Sequence, residues 1–302
     1  MEETVYVILV NYNGKKYNKK CIESVLNSTT KRNIGVIVVD NASTDDSLEE
    51  LKEEWGESGK VQIIELDDNY GFSKGNNEGI KWALAHEADY VLLLNNDTEI
   101  KESTIEKMID AQIRTNAIVV PRIVYADNPD RIWYAGGDFS KVIWKAVQRG
   151  LNQKDVGQYT QSEECSFANG CCMLLSSNII QQLGLLEEQF FLYYEDVEYS
   201  LRAKQKGLPI WYCAEAIVYH KVNGSTQGNE RPDSAYYITR NWLICNRMYM
   251  KKRFLIFGCY FILNRLAWIA IWTFTNKKKN VVATLEGIRD YQKGISGQYM
   301  RQ

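Results

Sequence analysis

The chain has 302 residues, 45% of them hydrophobic and 25% charged, a globular composition that makes disorder not the default and leaves length for one large domain, or for a domain with an appendage. Its formal net charge of −2 conceals a segregation, because Ser234 to Leu285 holds nine Lys/Arg and no Asp or Glu. A uniformly basic nucleic-acid binder is therefore disfavoured, and the two parts are expected to meet different partners.

The N-terminus runs from Met1 through a charged dipeptide into a short strand, without the basic head and apolar run of a signal peptide. Val5 to Val10, Ile34 to Val39, Val61 to Ile64 and Tyr90 to Leu94 read as strands, separated by segments rich in Lys, Glu, Leu and Ala. Near-continuous apolar strands alternating with helices predict a doubly wound α/β sheet covered on both faces. In such sheets the ligand lies beyond the carboxyl ends of the strands. Those ends read Asn11-Tyr12-Asn13-Gly14, Asp40-Asn41-Ala42-Ser43-Thr44-Asp45, Asp67-Asp68-Asn69-Tyr70-Gly71-Phe72 and Asn95-Asn96-Asp97. One Asn/Asp-rich loop is ordinary turn or cap chemistry, whereas four at one edge describe a site.

Gly71, Gly75 and Gly79 recur every four residues, which suits close helix packing and not a dinucleotide fingerprint. GxGxxG and P-loop patterns are missing, which removes the usual support for hydride transfer and NTP hydrolysis. Further on come an apolar run ending at Pro121, a polar loop to about 164 and a small-residue segment from Phe167 to Leu175. Phe190-Phe191-Leu192-Tyr193-Tyr194-Glu195-Asp196 then opens a helix expected to reach about Lys206, with Gly207 as its C-cap. A short strand follows, Ile210 to Cys213, and then a segment, Ile217 to His220, that ends in one of only two histidines. The seven cysteines contain no CxxC pair and no zinc-spaced histidine, which fits a reduced cytosolic setting.

A carboxylate just after an apolar strand, as at Asp97, can reach a hard divalent cation, and His220 offers a second ligand. The plainer roles are a helix cap for Asp97 and a satisfied core histidine for His220. Asp196, in the first turn of its helix and beside an aromatic run that would exclude water, suits a base with a raised pKa. Glu195 and Glu198 share a helix face while Asp196 points about 100° away, so the carboxylates need not share a task. Complementing the helix dipole is the alternative for all three.

Taken in order, Val10-Asn11-Tyr12-Asn13-Gly14, Val38-Val39-Asp40-Asn41-Ala42-Ser43-Thr44-Asp45, Asn69-Tyr70-Gly71-Phe72-Ser73-Lys74-Gly75-Asn76-Asn77, Leu94-Asn95-Asn96-Asp97 and Tyr194-Glu195-Asp196 resemble the inverting family 2 glycosyltransferases, in particular a rhamnosyltransferase-like branch. The resemblance covers about residues 4 to 245. It implies a GT-A fold, a Rossmann-like doubly wound mixed sheet, and a nucleotide-sugar donor bearing dTDP or UDP. By the same resemblance Asp40 contacts the nucleoside, Asn11 and Asn13 shape its pocket, and Asn69, Gly71, Asn76 and Asn96 lie near the donor. Asp97 would be the metal-binding acid of a DxD-type motif whose first acid is here Asn95, with His220, in its Tyr-His-Lys-x-x-Gly-Ser setting, as the further ligand of Mg2+ or Mn2+ or of the diphosphate. Asp196 would be the general base, with Glu195, Asn169 and Gly170 on the acceptor side. Arg240, in Tyr236-Tyr237-x-x-Arg240-Asn241, is similar to a family pair near the donor phosphates, a surface salt bridge being its alternative role.

Phe254 to Phe274 is a mostly apolar run flanked by Lys251-Lys252-Arg253 and Lys277-Lys278-Lys279. As a helix it would extend about 31 Å, enough to cross a bilayer core. Arg265 at its middle would cost roughly 2.5 to 3.5 kcal/mol there, so helices lying in the membrane interface are favoured, with packing against the catalytic domain or a homodimer partner as the alternative. The expected plan is a catalytic domain over 1–233, with a nucleotide-sugar half to about 97 and an acceptor half from 98, and a basic, aromatic helical extension over 234–302. The expected enzyme sits on the cytoplasmic face of the membrane and moves a sugar, L-rhamnose first, onto a lipid-linked saccharide. A sugar nucleotidyltransferase would want a Gly-rich, Lys/Arg-bearing loop after strand one, which Asn11 to Gly14 lacks. A catalytically silent sugar-binding protein is the other alternative, since Asn95 has replaced one acid.

Overall fold

The computed structural model describes residues 2–140, 145–221, 231–249 and 254–299. The first part alternates as the apolar runs predict: β1 (Thr4–Asn11), α1 (Asn18–Leu26), β2 (Asn33–Asp40), α2 (Ser47–Trp55), β3 (Val61–Glu65), α3 (Gly71–Ala85) and β4 (Tyr90–Leu94). Then come β5 (Thr98–Ile100), α4 (Thr104–Thr115), β6 (Ile118–Tyr125), β7 (Asn128–Tyr134), β8 (Gly137–Phe139), β9 (Ala146–Gln148), β10 (Glu163–Cys165), β11 (Cys172–Ser176), α5 (Ser177–Leu183), α6 (Glu195–Gln205) and β12 (Ile210–His220). Three helices close the chain: α7 (Pro232–Tyr249), α8 (Phe254–Phe274) and α9 (Lys278–Gln292).

One sheet runs β10-β12-β6-β11-β4-β1-β2-β3, with β5 added to β12 and β7 to β6. Strands β1 to β4 are parallel, while β11 lies antiparallel between β4 and β6, so the sheet is mixed. The chain builds outward from β1 through β2 to β3 and then returns to place β4 on the other side of β1. That reversal opens a crevice at the carboxyl ends of β1, β2 and β4. Helix α3 packs tightly here: a Cβ on Gly75 would sit 2.9 Å from Val10 Cγ1, and one on Gly79 2.6 Å from Ile8 Cγ2. The four-residue glycine spacing is thus a packing device.

Three expectations are corrected in the second half. The polar stretch to 164 is not one loop, since β7, β8, β9 and β10 lie within it. The apolar run does not end at Pro121, which lies inside β6, and the expected strand Ile210 to Cys213 continues to His220 as a single β12. The last two have one cause. Proline cannot donate to a ladder and is tolerated in a sheet at bulges; Pro121 pairs with Cys213, and the register of β12 shifts between Cys213 and Ile217 at that point.

In the C-terminal helices, Arg240 is wholly buried on α7, donating to Asn241 Oδ1 (3.0 Å), the Tyr236 hydroxyl (3.1 Å) and Gly297 O (2.7 Å). Its expected place by the donor phosphates, or in a surface salt bridge, is corrected to a brace between α7 and the C-terminal tail. Arg265 is also turned inward, with 8% of its surface exposed. It donates to Thr239 Oγ1 at 2.9 Å and lies 5.3 Å from the Trp242 ring centroid. Helix α8 therefore hides its charge and shows solvent Ile262, Leu263, Leu266, Ile271 and Phe274. Lys251 to Arg253 and the Val222 to Ser225 part of the His220 motif lie outside the described residues.

Candidate active site

Asn11 ends β1 and Asp40 ends β2, and the parallel register sets them side by side. Asn11 Nδ2 reaches Asp40 Oδ1 (2.6 Å), Ser47 Oγ (2.9 Å) and Ser43 Oγ (3.0 Å), while its Oδ1 accepts from Asn18 Nδ2 (2.8 Å), Gly14 N (3.1 Å) and Asn96 Nδ2 (3.3 Å). One buried amide thus ties together β1, β2, both following helices and the loop after β4. Asp40, fully buried, also accepts from Ser43 N and Ser43 Oγ, at 3.0 and 2.7 Å. A buried carboxylate is tolerable because these donors replace its water. Asn13, left-handed at φ 55, caps the second loop through Thr44 N at 2.7 Å.

The third loop joins through Asn41, whose amide donates to Gly71 O at 2.9 Å and accepts from Tyr70 N at 3.1 Å. Asn69 Oδ1 accepts from Gly71 N at 3.0 Å. Gly71 has φ +82, and a Cβ there would lie 2.2 Å from Phe191 O, so glycine is required. Asn76, buried, donates to Phe72 O within its own helix at 2.9 Å. The donor-side residues expected from the sequence are therefore brought together, with two exceptions: Asn76 has its amide turned back onto α3, and Arg240 lies in the C-terminal helices. Asn18, Asn41, Ser43 and Ser47 were missed, because their roles depend on which loops become neighbours.

Short strand β5 pairs antiparallel with β12, setting His220 opposite Thr98 and so next to Asp97. Both are buried, and His220 Nε2 lies 3.2 Å from Asp97 Oδ1. Asp97 Oδ1 and, on the far side of the ring, His220 Nδ1 are buried without hydrogen-bond partners. Trp133 closes one side, its ring edge-on to His220 at 4.6 Å. Burial opposes a charge on His220, but Cys171 and Asp97 beside it outweigh this and hold its pKa up at about 10. Among the described residues no three His, Cys, Asp or Glu side chains converge on one point. A metal bound here would have to displace the His220 proton before that ring could ligate it, would then have two protein ligands and would need oxygens from elsewhere; Asp97 Oδ1, with no hydrogen bond of its own, fits that task.

Asp196 follows on α6. It is half-buried, accepting from Val197 N at 2.7 Å and from Gly170 N at 3.2 Å. Loss of water pushes its pKa up to about 6 against those donors. Glu195 is buried, with Oε2 unpartnered; burial and the adjacent Asp196 charge raise its pKa well above the carboxylate range. Asn169, also buried, accepts from Cys171 N at 2.9 Å, and Cys171 O accepts from Asn95 N at 2.9 Å. Segment 169–171 thus joins the Asp196 carboxylate to the loop bearing Asp97. Glu198 does not act on the helix dipole alone, for it is buried against Arg202 and the Tyr249 hydroxyl. Tyr193 and Tyr194, directly before the acidic pair, are both left-handed at φ 65 and 77, which the sequence did not announce.

Among curated proteins, the chain is 28% identical to the low-salt glycan biosynthesis hexosyltransferase Agl10 of Haloferax volcanii, over 83% of this chain and 78% of that one. It is 26% identical to the dTDP-rhamnosyl transferase RfbF of Shigella flexneri, over 98% of both. Among solved structures, GalNAc-T7 with UDP, GalNAc and Mn2+ superposes with a TM-score of 0.60 at 15% identity, over 79% of this chain and 48% of that one. TarS 1-349 of S. aureus in complex with UDP gives 0.55 at 15% identity, over 99% and 93%. These likenesses identify the mixed sheet as a GT-A fold. The model of glycosyl transferase family 2 matches residues 6–184, more than half the chain, and the chain is a glycosyltransferase of that family.

Proposed function

We propose that the protein transfers a sugar from a nucleoside diphosphate to a saccharide hydroxyl in one inverting displacement, with Asp196 as the base. The observation that carries this reading is the half-buried Asp196 carboxylate, raised to about 6 and joined through residues 169–171 to the Asp97 loop. The acceptor oxygen attacks the anomeric carbon, its proton passes to Asp196, and the bond to the diphosphate breaks with its electron pair. Asp40 and Asn11, with Asn13, Asn69, Gly71 and Asn96, hold the donor; Glu195, Asn169 and Gly170 border the acceptor. Asp97 and His220 would hold Mg2+ or Mn2+, which when bound supplies positive charge for the departing diphosphate.

The donor we favour is dTDP-L-rhamnose, supported by the full-length likeness to the Shigella flexneri transferase, with UDP-sugars second. The test is release of nucleoside diphosphate from a panel of nucleotide sugars with Mn2+ or Mg2+. Release from one donor, abolished by EDTA, is expected; silence across the panel with lipid-linked acceptors present would favour a silent sugar-binding protein.

A lipid-linked acceptor, in cell-surface polysaccharide synthesis at the cytoplasmic face of the membrane, fits a division into a catalytic part over 1–233 and a helical part over 234–302. Helix α8 supports this by its inverted polarity. Among the described residues, eight of the thirteen exposed large apolar side chains lie on α8, α9 and the tail. Residues Phe257–Phe274 have the length and composition to cross a membrane. With Arg265 turned inward, the helix instead suits the interface, its apolar side in the acyl boundary and Lys278 and Lys279 at the headgroups. Replacing Leu263 and Leu266 together by Glu is expected to weaken binding to anionic vesicles at least about tenfold, measured by co-sedimentation. Unchanged binding would reject this face.

A further inference from the structure

Residues 190–194, which lead into Asp196, are held through their backbone. Phe190 O accepts from Ser73 Oγ at 2.8 Å and Phe191 O from Phe72 N at 2.7 Å, both on α3. Leu192 O and Tyr193 O accept from Asn241 Nδ2, at 2.9 and 2.8 Å. Tyr194 O accepts from Glu198 N at 2.8 Å within α6. All five consecutive carbonyls are engaged, and one side chain, from outside the α/β part of the fold, engages two of them.

The restraint matters because the backbone here is unfavourable. Two consecutive tyrosines in the left-handed region persist only when their surroundings over-determine them. Tyr194 also occupies the N-cap of α6 without a side-chain cap bond, so the cap offers no local hold. Asn241 is fully buried, and its orientation is fixed on the other face, where Oδ1 accepts from Arg240 Nε at 3.0 Å. Rotating the amide would set its oxygen against two carbonyls and its nitrogen against a guanidinium. Further ties come from the same helix and the tail: the Tyr193 hydroxyl pairs with Ser234 Oγ at 3.0 Å, Phe191 stacks on Tyr237 at 5.4 Å, and Gly297 N donates to Gln189 O at 3.1 Å.

We infer that Asn241 is a positioning residue for Asp196: the C-terminal helices complete the active site by fixing, through the Asn241 amide, the backbone that aims the base. This rests on Asp196 being the base. Leucine at 241 keeps the approximate volume and removes both donors, so the two carbonyls lose their partners and the tyrosine pair is free to relax. The donor pocket around Asn11 and Asp40 lies on other elements, and Asn241 has no contact with it among the bonds described. The effect should fall on turnover and spare donor affinity.

The experiment uses the full chain with Mn2+, the active nucleotide sugar and acceptor, and compares wild type, Asn241→Leu, Ser234→Ala and Asp196→Asn. For Asn241→Leu, kcat is expected to fall about 100-fold, the scale of a misplacement of about 1 Å, with donor KM and nucleoside diphosphate Kd each within about threefold of wild type. Ser234→Ala loosens the same loop at its second anchor and is expected to lower kcat about three- to tenfold, which keeps the inference testable if Asn241→Leu does not fold. A kcat within threefold of wild type in a folded Asn241→Leu, or in Ser234→Ala where that variant stands alone, overturns the positioning role. So does a parallel fall of kcat and donor affinity, which signals general loosening. If instead Asp196→Asn turns over at the wild-type rate, the base assignment itself fails, and the inference goes with it.

Discussion

Asp196→Asn is expected to lower kcat by about 10²- to 10⁴-fold, the range that a positioned general base contributes. Asparagine keeps the shape and one acceptor for Gly170 N, so binding of the nucleoside diphosphate should persist. In the wild type, kcat/KM should fall about tenfold per pH unit below about 6, as Asp196 takes up its proton. Stability should move the other way. Because the native carboxyl binds its proton more tightly than the unfolded one, its stabilising contribution is complete below the unfolded value of roughly 3.9 and is lost as pH rises through about 6. Buried Glu195, whose pKa is also raised by loss of water and the adjacent Asp196 charge, contributes with the same sign. Activity rising while melting temperature falls across one window would be the signature. A flat rate profile between pH 5 and 7, or full activity in the variant, would remove Asp196 from the role of base.

Asp97→Ala is expected to reduce turnover about 10³-fold and to abolish its dependence on Mn2+, since stabilisation of a leaving diphosphate by a metal is worth several kcal/mol. His220→Ala should fall in the same direction. The check is calorimetric binding of the nucleoside diphosphate with and without Mn2+. Wild type should bind more tightly with the ion, and both variants should keep only the metal-independent part that the Asp40 pocket supplies. Variants that retain the full metal-dependent increment would show that the ion, if used, is held elsewhere.

Three of the four strands of the first half were legible because each is an apolar run stopped by Asn or Asp, and those stops line the candidate site. Asp97 and His220 could be nominated singly, but their meeting depends on β5, three residues long and without a periodicity of its own. The links among Asn11, Asn18, Ser43 and Ser47 were hidden for a related reason: polar residues in separate loops carry no mark of who their neighbour is. The ends of α8 matched its apolar run, Phe254 to Phe274, while the direction of Arg265 did not follow from composition. Nor did the burial of Arg240. Both arginines find hydroxyls, aromatic faces or carbonyls that exist only once α7, α8 and α9 are packed together. The left-handed Tyr193 and Tyr194 were beyond reach, because tyrosine has no intrinsic preference for that region and the cause lies some 48 residues away, at Asn241.

All seven cysteines are free thiols; six are buried, and Cys259, on α8, is exposed. Nature has thus left a single accessible attachment point on the helix whose surroundings most need to be known. A thiol-reactive nitroxide or environment-sensitive fluorophore should couple there selectively in the native enzyme, with no engineered background. Its accessibility to oxygen against a water-soluble quencher would then test whether α8 enters a vesicle surface and, if it does, how deeply, during turnover and at rest.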